Sequence, residues 1–146
     1  MTGDLAALIA DRLRVRLPEL IGVGGAVDFA ELVERGQRPQ RLPAAFVLSL
    51  GDDAQAGDLL GSEAWLQQVE ERVAVVLVHQ DRGDASGEKA REKLVPLAAQ
   101  VRAEIAGWHP GPEYGPCHYL RSRLHGLAAG AVWQQLDFQV RFELET

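Results

Sequence analysis

Residues 132–144 read VWQQLDFQVRFEL, and the fold turns on how this stretch is read. Val132, Leu136, Phe138, Val140, Phe142 and Leu144 fall on every second position, interrupted only by Gln134. Trp133, Gln135, Asp137, Gln139, Arg141 and Glu143 fill the gaps, with Glu145 just beyond. A strand sends alternate side chains to opposite faces, so this is a long strand with one dry and one wet face. A helical period would scatter the same apolar residues around the whole circumference. The polar row ends in Glu143 and Glu145, so the second face is expected to meet water or a partner. The expected class is α+β: two layers, a mostly antiparallel sheet of about four strands, and helices packed on one face.

Working outward, residues 117–124 precede this ribbon and form a hairpin with it around 125–131, a small-residue turn with Gly126 and Gly130. Residues 64–80 hold a continuous run, Val73 to Val78, of the kind found in a central strand buried on both faces. The more polar half, 67–72, is expected to extend beyond the core, with a helix as the competing reading for 65–72. Another strand spans 44–50 and ends at Gly51-Asp52-Asp53. It opens an acidic loop, 51–63, holding Asp52, Asp53, Asp58 and Glu63 with no base.

Helices are expected over 5–16, capped by Asp4, and over 27–35, with Phe29, Leu32 and Val33 inward. A short strand at 20–23 can lie between them. The clearest helix is 88–105, where Ala90, Leu94, Leu97, Ala98, Val101 and Ile105 share a face. Pro96 predicts a kink, or a break near Lys93. Gly107 should stop this helix, with Trp108 packing back on it. HPGPEYGP, 109–116, reads as a rigid connector. No repeat or linker divides residues 1–146, so one domain is expected.

The chain has 146 residues and a net charge of −6. Up to Arg41 six acids balance six bases, so the whole excess lies further on. Long-range attraction to nucleic acid or to an anionic membrane is not expected from such a balance. No apolar run approaches a membrane span, and Asp4 and Asp11 flank the first apolar stretch, unlike a signal peptide. One cysteine, Cys117, leaves no internal disulfide and suggests a reducing compartment.

Chemical constellations are weak. His79, His109, His118, His125 and Cys117 match no zinc spacing, and Cys117 and His118 point to opposite sides of a strand. Gly22-Val23-Gly24-Gly25 lacks the residues of a phosphate loop and reads as a turn. Glu70 and Glu71 are adjacent, not convergent, and so form no acid–base dyad. Arg12, Arg14 and Arg16 read as a solvated helix end. No catalytic, cofactor or metal site is expected. What remains is surface: Leu59, Leu60, Trp65 and Leu66 in or beside the acidic loop, and Trp133 on the polar row. Large apolar groups in such places suit contacts between subunits, or equally a loop folded back over the sheet.

Four segments carry a resemblance in pattern and order. They are LPAAFVLSLGDDA at 42–54, QQVEERVAVVLVHQD at 67–81, VRAEIAGWHP at 101–110, and the closing hairpin with VWQQLDFQVRFEL. Together they resemble the tail terminator, or tail completion, proteins of long-tailed bacteriophages, with Gly107-Trp108 and Pro110 the most distinctive piece. Pro96 departs from the smooth helix of that pattern. The resemblance implies helices packed on a sheet, no catalytic residues, and a homo-hexameric ring on the head-proximal end of the tail tube. Such a ring stops tube growth and provides the joint to the head. Its implied partners are the tail tube protein and the head–tail connector protein, with DNA passing through unbound. Its place is the virion, after synthesis in the host cytoplasm, and no membrane is involved.

The residues expected at subunit or tube contacts are Asp52, Asp53, Asp58, Leu59, Leu60, Trp65, Gln68, Glu70, Arg72, His125 and Trp133. The rival readings are another tube or connector subunit, and a small ligand-binding domain or enzyme using Cys117 with His118 or His125.

Overall fold

The computed structural model describes residues 4–35, 41–60, 64–81, 83, 86–126 and 131–145. Its elements are α1 (Leu5–Arg16), β1 (Gly22–Gly24), α2 (Ala26–Arg35), β2 (Ala44–Ala54), β3 (Asp58–Leu60), β4 (Ala64–Gln80), α3 (Glu88–Ile105), β5 (His118–Gly126) and β6 (Ala131–Glu145). The class is α+β, as the alternation at the C-terminus implies. The strands run β1-β2-β4-β6-β5, with β3 on β4. Only β1 and β2 are parallel; every other pairing is antiparallel. The two three-residue strands, β1 and β3, raise the count from about four to six.

β4 and β6 form the spine, paired from Leu66 opposite Glu145 to Gln80 opposite Ala131. Val69, Val73, Val75 and Leu77 of β4 join Leu136, Phe138, Val140 and Phe142 of β6 and Ala45 and Val47 of β2 on one dry face. α1 lays Leu5, Ile9 and Leu13 on it, and α3 adds Leu94, Leu97, Val101 and Ile105. Each such side chain contributes about 1.5–3 kcal/mol by leaving water. Asp4 caps α1, its carboxylate accepting from the Ala6 amide at 3.3 Å. Gly107, at φ +82°, terminates α3 in the left-handed conformation that suits glycine.

The helix end at Arg12 and Arg16 is not simply solvated. Arg12 Nε donates to the Glu104 carbonyl at 2.7 Å, and Arg16 Nε to the Glu104 carboxylate at 2.9 Å. The Arg12 guanidinium also lies over the Trp108 ring, 4.7 Å from its centroid. These contacts join α1 to the end of α3. α3 itself runs unbroken through Pro96. Pro96 faces solvent while Leu94 and Leu97 on either side of it are buried. Burial of the stripe on both sides holds the helix together despite the lost donor.

The helices do not all lie on one face. α2 packs on the opposite face, where Phe29 and Leu32 meet Phe46, Val76 and Val78. The Phe29 ring sits 5.5 Å from Phe46 and 5.2 Å from Trp133. The cause is in the β-branched run itself: residues 73–78 are apolar on both sides, so their second face also needs cover. Val33 points outward, 62% exposed, because Phe29 and Leu32 alone make the inward edge of this short helix.

Candidate functional site

α2 covers only one end of the second face. Toward the other end that face becomes polar, and the strands outrun α1 and α3. β2 does not stop at Leu50. A bulge between Ser49 and Gly51 shifts its register, with Gly51 at φ +104°, and the strand continues to Ala54. Asp53 therefore stands opposite Glu70 on the wet face, and Asp52 opposite Glu71 on the dry one. Much of the expected acidic loop is strand, because the bulge lets β2 follow the long β4.

Ion pairs tie the wet half-face together strand by strand. Asp53 of β2 meets Arg72 of β4 at 3.5 Å, and Glu70 of β4 meets Arg141 of β6 at 2.9 Å. Asp137 of β6 accepts from Gln135 Nε2 at 2.8 Å and pairs with Arg121 and Arg123 of β5 at 3.2 and 3.6 Å. Asp137 is only 2% exposed although it belongs to the wet row. Its partner on β4 is Ala74, small enough to let the two long arginines fold across it. Glu143 and Glu145 extend the row, exposed, beyond this lattice.

The structure thus gathers Asp53, Gln68, Glu70 and Arg72, four of the residues expected at contacts, on one surface. Asp52 lies on the reverse side beside Glu71. The Glu71 carboxylate accepts from Ser49 Oγ at 3.0 Å, yet burial, helped by Asp4 and Asp52, lifts its pKa above the usual value. Trp65 rests over Gly57, where any Cβ would collide with the indole. Asp58, Leu59 and Leu60 form β3, paired with β4, but their side chains lie outside the described residues, as do 127–130 of the expected turn. His125 and Trp133 face each other at the far end of the sheet, roughly 26 Å along β6 from Arg141 at strand rise. There Trp133 is partly buried against Phe29.

Arg121, Arg123, Asp137 and Arg141 do not stand out in the sequence. The available signal is one acid in the polar row of the last strand and two arginines two residues apart in the strand before it.

The model of the family described as phage tail terminator protein matches residues 4–146. The chain belongs to the phage tail terminator family. It is a structural protein of the phage tail, and its place is the virion. In fold it is similar to a chain of a solved particle described as "Virion of native gene transfer agent (GTA) particle", with a TM-score of 0.59 and 15% identity over 96% of this chain and 95% of that one. No curated protein matches the chain.

Cys117, His118 and His125, the residues of the rival enzyme reading, are not brought together in this tail terminator. Burial pushes the Cys117 thiol up to about 12, with Arg12 only partly opposing it. The thiolate needed for a nucleophile is therefore scarce at neutral pH. His118 is exposed on the wet face, opposite Gln139, and cannot serve that thiol. Among the described residues no group of His, Cys, Asp and Glu is arranged to hold a metal ion. No described helix is long and apolar enough to cross a membrane. A cleft of about 700 Å³ lies between the end of β6 and residues 112–115. Tyr114 and Gly115 lie along β6 there, the Gly115 amide donating to the Arg141 carbonyl at 2.8 Å.

Proposed function

We propose that this tail terminator works as one subunit of a closed ring, homo-hexameric in the family's manner, on the head-proximal end of the tail tube. The ring ends tube polymerisation and gives the head–tail connector its seat. Family membership supports the placement, and the likeness in fold to a chain of a gene transfer agent virion is consistent with it. The observation that carries the reading is the wet half-face, where strands longer than their helical cover present a charged lattice. A ring subunit needs broad, non-identical faces of this kind. The contact residues proposed are Asp52, Asp53, Gln68, Glu70 and Arg72, with Asp58, Leu59, Leu60 and Trp65 at neighbouring contacts and His125 and Trp133 at a separate contact at the far end of the sheet. A net charge of −6 suits a passage for DNA, because phosphates find little to hold them.

The test is deletion of residues 55–63, which leaves 64–68 to close the β2–β4 hairpin. The expected product is folded by circular dichroism but leaves tubes uncapped and overlong. Tubes of normal length made with this variant would count against the reading. Closed rings rather than open stacks in particle images separate a terminator from a tube subunit.

A further inference from the structure

The sheet has two free edges on opposite sides, and they differ in charge. β5 is the last strand, with a neighbour only in β6 among the described residues, and its side chains from His118 to His125 are all exposed. It holds Arg121, Arg123, His118 and His125 and no acid. At the other side, β1 covers β2 only from Ala44 to Phe46. From Ser49 to Ala54 the outer edge of β2 has no strand beside it among the described residues, and these residues are exposed. This segment holds Asp52 and Asp53 and no base, and its neighbour β4 adds Glu70 and Glu71 against one base, Arg72, so acids stay in excess although Asp53 pairs with Arg72 and Glu70 with Arg141.

Long bare edges of this kind are templates for another strand. We propose that copies of the chain join head to tail by sheet continuation, the β2 edge of one copy (Ser49–Ala54) seating on the β5 edge (His118–His125) of the next. The inference rests on the ring reading and supplies its subunit joint. Three observations favour a second copy as the occupant. The edges lie on opposite sides of one sheet, so the contact is heterologous and can close into a ring. Their charges are complementary. Asp53 and the two guanidiniums also occupy the same face, so a continued sheet brings them side by side. Two arginines on one carboxylate, Asp137, leave positive charge to spare, and both side chains are more than half exposed.

The experiment measures oligomeric mass by light scattering and tube capping by electron microscopy. An acid-reversed variant carries Asp52→Lys and Asp53→Lys. A base-reversed variant carries Arg121→Glu and Arg123→Glu with Asp137→Asn, so that no buried carboxylate is left short of partners. Each alone is expected to self-associate at least tenfold more weakly than wild type and to cap few tubes. Mixed together they should form rings again, since every contact in an alternating ring regains opposite charges. The neutral pair Asp52→Asn and Asp53→Asn, which perturbs folding least, should fall between wild type and the acid-reversed variant. Rings of normal mass from the acid-reversed variant, or folded variants that fail to rescue each other, would overturn the edge pairing and leave the ring reading standing. A wild-type protein that neither leaves the monomer nor caps tubes would overturn both.

Discussion

The same three strands, β2, β4 and β6, are built by two rules. Under α1 and α3 they present Val47, Val75, Leu136 and Phe138 to a dry face, where shape and burial decide the energy. On the reverse side, beyond α2, they present Asp53, Glu70, Arg72 and Arg141, which hold one another in pairs open to water. Exposed ion pairs contribute roughly 0–1 kcal/mol each, far less than a buried Phe or Leu. The dry face therefore secures the fold, and the wet half-face is free to serve contacts at little cost in stability.

The largest effect should come from cutting the dry face. Phe138→Ala removes a fully buried ring at the centre of the β4–β6 spine. A loss of about 3–5 kcal/mol is expected from transfer and cavity terms, read from urea unfolding. A loss below about 1 kcal/mol would mean that this face is not the source of stability.

Asp137 sharpens the comparison, because it sits on the wet row yet is buried. Removing its partners should harm more than removing the acid. Arg121→Ala with Arg123→Ala leaves a nearly inaccessible carboxylate held by Gln135 alone, at a cost of about 3 kcal/mol. Asp137→Asn releases two guanidiniums that water can reach, at a cost of about 1 kcal/mol. Equal losses in the two variants would place Asp137 with the exposed pairs.

This asymmetry also explains what the sequence could and could not tell. Alternation in β6 and the run at 73–78 are set by one strand meeting one layer, and both were legible. α2 was legible as a helix, but its side of the sheet was not, because Phe29 and Leu32 say only that something apolar is needed. The bulge at Leu50 was hidden. Gly51-Asp52-Asp53 reads as a turn by composition, and only pairing with the long β4 keeps it in the sheet. The ion pairs depend on register, which a single strand does not carry. Asp53, Gln68, Glu70 and Arg72 were legible from local polarity as residues of a polar strand end and loop, whereas Arg141 and Asp137 needed their cross-strand partners to stand out.

A smaller effect is expected at the exposed end of the lattice. Glu70→Gln loses the 2.9 Å pair with Arg141 and should cost less than about 1 kcal/mol. On the proposed ring reading, tube capping should fall by more than that change in stability explains, since the lattice is proposed to carry contacts. A variant that caps as well as wild type would remove Glu70 from the contact surface.

The smallest effect concerns Glu71, which stands beside this lattice but on the dry side. Its pKa is raised by burial above the ordinary 4.5, with Asp4 and Asp52 adding to the shift and the Ser49 hydroxyl opposing it. An acid raised in the folded state favours folding while protonated. Below its unfolded value both states hold the proton and its contribution is complete. As the pH climbs through that value and then the folded one, the unfolded chain releases the proton first and stability is lost. Glu71→Gln keeps an acceptor for Ser49 and carries no charge, so its stability should not share this decline. The fall in urea midpoint from about pH 4 to about pH 7 that Glu71 causes should therefore be missing from the variant, so that its midpoint at pH 7 relative to pH 4 lies higher than that of wild type. Equal pH dependence in the two proteins would show that the Glu71 carboxylate is as well solvated as Asp53 on the wet face, and the contrast between the two faces of the sheet would then rest on packing alone.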